Sequence, residues 1–141
     1  MCLKKFEKMD IDPNGEGVKC YKVFSVEGKW PFRKITSPIW SEMRWKKRKV
    51  YSTGVDEPDL WLHTEIGKNS FHSFANVDDA FRFCNEMEEN RIRFEYHYEV
   101  YECLIPADTK FLYCGYQNNG RELAEGYASE KLKIIGRVYS L

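Results

Sequence analysis

His72 and Ser73 stand between two aromatic residues in the run Phe71-His72-Ser73-Phe74. Histidine is the residue type that gains and loses a proton around neutral pH, so it can hold a phosphate or act as acid or base. Tyr21 and Lys22 pair a ring that can stack on a base or a nicotinamide with an ammonium that can meet a phosphate. Residues 44–51 form the one dense charge run, in which Arg44, Lys46, Lys47, Arg48 and Lys49 lie among Trp45 and Tyr51. Cations among aromatics grip phosphates and stack on bases, and Arg44 and Lys46 are the candidate contacts there. Tyr127 and Ser129, in the late run Tyr127-Ala128-Ser129-Glu130, complete the set. Together these residue types suit a small anionic ligand, a nucleotide above all, held between aromatic walls and basic donors.

Each candidate has a plainer reading. Tyr21 and Lys22 fit an ordinary strand with one buried and one wet face. His72 fits a structural histidine satisfied by backbone. The basic run fits a solvated edge strand whose lysines discourage sheet-to-sheet pairing. Tyr127 and Ser129 fit turn chemistry, the serine bonding local backbone. His63 and His97 make weaker cases than His72. The three histidines show no ligand-like spacing with cysteine or carboxylate, so no metal site is expected. No Walker or dinucleotide glycine fingerprint is present.

The elements that must position these residues centre on residues 70–90. Phe71 and Phe74 suit a half-buried strand. Asn76 is then placed to cap a helix with its side-chain oxygen, and Asp78 and Asp79 favour the positive end of that helix. Val77, Ala80, Phe81, Cys84 and Met87 make one apolar stripe, widened by Phe83, and Asn90 is a stop. Residues 18–26 alternate strictly, with Val18, Cys20, Lys22, Phe24 and Val26 on one face and Lys19, Tyr21, Val23 and Ser25 on the other. Residues 92–105 are the strongest strand signal, with Tyr98, Val100, Glu102 and Leu104 opposed to Glu99, Tyr101, Cys103 and Ile105. Residues 110–116 read as a further strand. Residues 132–138 close the chain as a strand in which Gly136 marks a bulge. Residues 1–17 end in Asp12-Pro13-Asn14-Gly15 and read as a flexible N-terminal arm before a single domain at 18–141. Residues 29–69 are irregular, with a short strand at 60–66. One helix among five to seven strands gives an α+β fold with a curved or split, mainly antiparallel sheet.

The chain has 141 residues, a formal net charge of zero and 16% aromatic residues. No whole-chain field draws it to nucleic acid or to an anionic membrane, so nucleic acid is not the expected partner. Five widely spaced cysteines without a CxxC pair read as reduced thiols, which suits the cytoplasm. No targeting segment and no membrane span are read from the sequence. Self-association stays open.

Two resemblances add to this reading. The start MCL, CYKVF at 20–24, FHSF at 71–74, the following DDAFRF, ECLIPADTKF at 102–111 and YASEKLKII at 127–135 resemble a family of small proteins common in bacteriophages, prophages and gut bacteria, to which no activity is assigned. CYKV, FHSFANVDDA, EVYE and YASEKLKIIGRV, in that order, are similar to the rifampicin ADP-ribosyltransferase branch of the ADP-ribosyltransferase fold. That second resemblance implies a split, highly curved sheet around a nicotinamide-nucleotide cleft, with NAD as cofactor. Where that family turns a histidine toward the dinucleotide, this chain carries Tyr21, followed by Lys22. No catalytic carboxylate is assigned, since Asp79 beside the family motif is equally explained by the helix start. The expected function is therefore a non-enzymatic nucleotide binder without a cofactor, suited to a phage protein that sequesters a host nucleotide signal. The alternatives are an NAD-using transferase-like enzyme, which needs a reacting group poised in a cleft, and a protein-interaction module, which needs a flat apolar patch. On either ligand reading the helix shields one side of the sheet and leaves a phosphate-friendly hollow on the other.

Overall fold

The alternation at residues 18–26 forms a strand, and the sheet is organised around it. The structure is a computed structural model, described at residues 2–9, 15–28, 34–36, 44–45, 49–52, 60–61, 65–66, 71–91, 95–107, 109, 111–117 and 124–139. Its elements run β1 (Cys2–Met9), β2 (Val18–Glu27), β3 (Lys34–Thr36), β4 (Arg44–Trp45), β5 (Val50–Ser52), β6 (Leu60–Trp61), β7 (Glu65–Ile66), β8 (Phe71–Phe74), α1 (Val77–Glu89), β9 (Tyr96–Ile105), β10 (Phe111–Gln117), β11 (Ala124–Ser129) and β12 (Lys131–Val138). The fold is α+β, with an open, antiparallel sheet and one helix among the described residues.

The main path across the sheet is β1-β10-β11-β8-β2-β9-β12-β5, and β3 and β4 branch from β2. One edge of β2 pairs with β9 along its full length, from Val18 opposite Ile105 to Glu27 opposite Tyr96. The other edge is shared. Tyr21 pairs with Phe74 of β8, whereas Ser25, Val26 and Glu27 pair with β3. The sheet therefore forks at β2, and no strand is registered against Lys22, Val23 or Phe24 on that edge among the described residues.

The N-terminal segment departs from the expected arm. Cys2–Met9 is strand β1, paired antiparallel with β10 from Cys2 opposite Gln117 to Met9 opposite Phe111. The charged residues of this segment hid a strand because an edge strand need not alternate cleanly. The single short strand expected at 60–66 is instead the hairpin of β6 and β7. β9 begins at Tyr96, later than expected. The late motif is also not a turn: Tyr127 and Ser129 lie within β11, which pairs β10 on one side and β8 on the other.

The helix covers one face of the sheet. Ala80 and Cys84 are buried there against Val23, Phe74, Val100 and Ala128, with Phe81 and Phe83 packed at the margin. The Glu88 carboxylate accepts the Tyr98 backbone N–H at 2.5 Å and pairs with Arg91 at 2.9 Å, which ties the helix end to β9. Asn76 occupies the N-cap position, but its side chain makes no capping hydrogen bond. The expected side-chain cap is thus absent, and the Asn76 carbonyl accepts only the first helical bond, from the Ala80 N–H. Asn90 closes the helix, its side-chain amide donating to the Glu86 carbonyl at 2.9 Å.

The opposite, helix-free face is also closed over its centre. Cys20, Phe24, Val26, Phe71, Tyr101, Cys103, Ile105, Leu132 and Ile134 form a second buried cluster. Burying each Phe, Leu or Ile here contributes ~1.5–3 kcal/mol. The expected hollow does not lie over this centre, where Cys20, Phe24, Phe71 and Tyr101 are at most 1% exposed.

Candidate functional site

Strand alternation divides the sequence candidates between the two faces. Tyr21 packs with the helix-side cluster, and His72 shares that face with Phe74, opposite Ala128. Lys22, Ser73, Tyr127 and Ser129 belong to the helix-free face. Arg44 lies in β4 with its backbone paired to Thr36, away from this row, and Lys46 falls outside the described residues. The eight candidates therefore do not converge as one set. Four of them do share a face.

Lys22 is the most unusual of the four. Its residue is only 5% exposed. The ammonium donates to the His72 carbonyl at 2.7 Å, across the fork, and stands 5.8 Å from the centre of the Phe24 ring. That carbonyl is the one hydrogen-bond acceptor the ammonium has among the described residues. Burial pushes the Lys22 amine from its ordinary value of 10.5 down to about 8. The physical cause is the loss of hydration around a charge that no carboxylate neutralises among the described residues.

The neighbours of Lys22 continue the row. Ser73 follows His72 on β8 and is 1% exposed. Tyr127 is registered opposite Ser73 and, on its other side, opposite Tyr113 of β10. The Tyr127 ring meets Phe111 edge-on at 5.7 Å and Tyr113 at 5.9 Å. Ser129 is fully buried between Phe71 and Phe111 in register, and its hydroxyl has no partner among the described residues. The Thr109 hydroxyl, two residues ahead of Phe111, is in the same condition. A buried hydroxyl without a partner costs ~1–3 kcal/mol.

On the other side of Lys22 lies a cluster that the sequence reading did not assemble. Tyr101 is registered opposite Lys22, and Glu99 opposite Phe24. Glu99 has a side chain only 1% exposed, and its carboxylate accepts from the Tyr101 hydroxyl at 2.9 Å, from Arg137 at 3.2 Å and meets His97 Nε2 at 2.5 Å. His97, Glu99 and Tyr101 are alternate residues of β9, so one strand face presents all three. Arg137 joins them through a register shift in β12 between Ile134 and Gly136. Because of that irregularity Ile134 and Arg137, three residues apart, stand opposite Cys103 and Tyr101 and share their face. The alternation of residues 97–101 was a legible signal. The arrival of Arg137 depended on the bulge.

Cys20 and Cys103 face each other across β2 and β9 and are both fully buried. Burial raises the Cys20 thiol to about 12, against a smaller opposing effect of the Ser73 hydroxyl, and raises Cys103 as well. These are inert core groups rather than nucleophiles. Among the described residues no three His, Cys, Asp or Glu side chains converge on a metal position, and no helix is long and apolar enough to cross a membrane. The chain matches no family model, no curated protein and no solved structure.

Proposed function

We propose that this protein binds a small anionic ligand, a nucleotide or a close phosphate-bearing relative, along the row of Lys22, Ser73 and Tyr127 on the helix-free face. The observation that carries the reading is the Lys22 ammonium, buried as a cation with a single backbone acceptor among the described residues. Such a charge is costly to bury unless an anion joins it. The aromatic group of Tyr127, Phe111 and Tyr113 supplies a wall for a planar ring, and the hydroxyls of Ser129 and Thr109 are donors in want of acceptors. The role such a binder suits is sequestration of a host nucleotide signal by a phage-encoded protein, holding the ligand without transforming it at this row.

A second reading has one observation in its favour. The sharing of one β2 edge between β8 and β3 would suit the split sheet that the ADP-ribosyltransferase resemblance implies, and NAD would then be the ligand. Calorimetric titration with ADP, NAD and inorganic phosphate separates the readings. Binding of ADP or phosphate that is lost in Lys22→Met supports the first. Binding of NAD with release of nicotinamide supports the second. A thermal-shift series gives the same answer independently, since ligand at ~100 times its Kd adds about 2.7 kcal/mol to stability. No heat and no shift with any of the three refutes both.

A further inference from the structure

The margin formed by β9 and β12 carries chemistry that ligand holding does not use. Tyr101 and Arg137 already supply donors to the buried Glu99 carboxylate. His97 adds a third contact from a side chain that is 43% exposed. Its Nε2 is committed to Glu99, and Nδ1 has no partner among the described residues. A carboxylate that accepts the Nε2 proton fixes the tautomer and leaves the Nδ1 lone pair directed away from it. Arg137 is 33% exposed, uses Nη1 on Glu99, and has no other acceptor among the described residues. Its guanidinium lies 4.5 Å from the centre of the Tyr139 ring, which is itself 68% exposed. A base with its lone pair free, a planar cation with spare N–H groups and an accessible aromatic plate therefore stand together at the solvent margin. The planar fork of an arginine matches phosphate oxygens, and the plate suits a ring attached to that phosphate.

We propose that His97 is the proton acceptor of a phosphoester-cleaving site on this margin, with Arg137 as the phosphate contact and Glu99 as the residue that positions the imidazole. Water bonded to Nδ1 gives that nitrogen a proton as its oxygen forms a bond to phosphorus. The ester P–O bond breaks, and the departing oxygen leaves with the bonding pair. With an aryl ester the leaving group departs as a phenolate, and the imidazolium then returns its proton to solvent. No oxidant, reductant or metal enters this balance.

The test is turnover of bis(p-nitrophenyl) phosphate by the full chain, followed as p-nitrophenolate. The expected result is hydrolysis above buffer that falls to background in His97→Gln. Glu99→Gln is expected to lower kcat by about 10²-fold or more with KM little changed, as for loss of a positioned base. Arg137→Gln is expected to raise KM. Nitrogen-15 shifts of His97 in the unmodified protein provide a readout that does not depend on any variant folding, with protonated Nε2 and bare Nδ1 expected. A wild-type rate equal to buffer overturns the proposal. So does a His97→Gln protein that turns over normally, or a His97 ring that carries its proton on Nδ1. These outcomes are read apart from ligand binding at Lys22, which is measured by heat and not by turnover.

Discussion

The Lys22 ammonium and the His72 carbonyl are joined across a gap in the sheet at 2.7 Å. β2 and β8 share a single registered pair, Tyr21 with Phe74, and then part because β3 takes over the same edge of β2 from Ser25 onward. A backbone carbonyl beside that parting needs a donor, and a lysine stem is long enough to bring one. The hydrogen bond thus locks the fork, while the charge it brings inside is expensive. The fork and the proposed ligand binding draw on the same side chain.

That tension predicts an alkaline signature. The Lys22 amine titrates at about 8 in the fold and at 10.5 when unperturbed. Between those values the unfolded chain binds more protons than the folded one, so this group's contribution to stability rises with pH. Below pH 8 the penalty is present in full. The Cys20 thiol runs the other way, from 9.0 to about 12, so its contribution is complete below pH 9 and lost above it. Lys22→Met removes the first effect and keeps the second. Urea unfolding at pH 7 and at pH 10 should show the stability of the variant relative to wild type falling by a few kcal/mol at the higher pH. An equal difference at both values would mean that Lys22 is not buried as a cation.

Thiol protection follows from the facing pair on β2 and β9. Cys20 and Cys103 are each 0% exposed. Treatment of the native protein with iodoacetamide, followed by peptide mass analysis, should leave both unmodified, with labelling appearing only in denaturant. Rapid native labelling of either would show that the helix-free face opens.

Two glycines give a paired backbone test. Gly17 has φ of +84° and a Cβ added there would lie 2.6 Å from the Ile105 carbonyl oxygen. Gly15 has φ of +69° but open space around its added Cβ. Left-handed backbone costs an L-residue ~1–2 kcal/mol. Gly15→Ala should lose about that much. Gly17→Ala should lose more, because the start of β2 must also move off the end of β9. Denaturant midpoints of the two variants compare them directly, and equal losses would contradict the contact.

Asn76 supplies a negative test. Replacing a working side-chain cap by alanine costs ~0.5–2 kcal/mol. Asn76 makes no such bond, so Asn76→Ala should change stability by less than about 0.5 kcal/mol. A larger loss in thermal unfolding would show that the cap forms in solution.

Local pattern decided much of this protein. The alternation of residues 18–26 and 98–105 assigned each side chain to a face, and the structure keeps those assignments, because a pleated strand has only two faces. The helix at Val77–Glu89 and its buried stripe were legible for the same reason, since its apolar period belongs to the helix alone. The irregularity at Gly136 was marked by the glycine itself. What periodicity does not carry is which strand lies beside which. Cys2–Met9 becomes a strand only because β10 offers an edge to it. Lys22 meets the His72 carbonyl, 50 positions away along the chain, only because β8 lies beside β2. Arg137 reaches Glu99, 38 positions away along the chain, only because β12 slips its register beside β9. Sequence determined the faces, through interactions between residues a few positions apart. Tertiary pairing decided the clusters, because hydrogen-bonded registers between distant strands are settled only when the whole sheet closes its core.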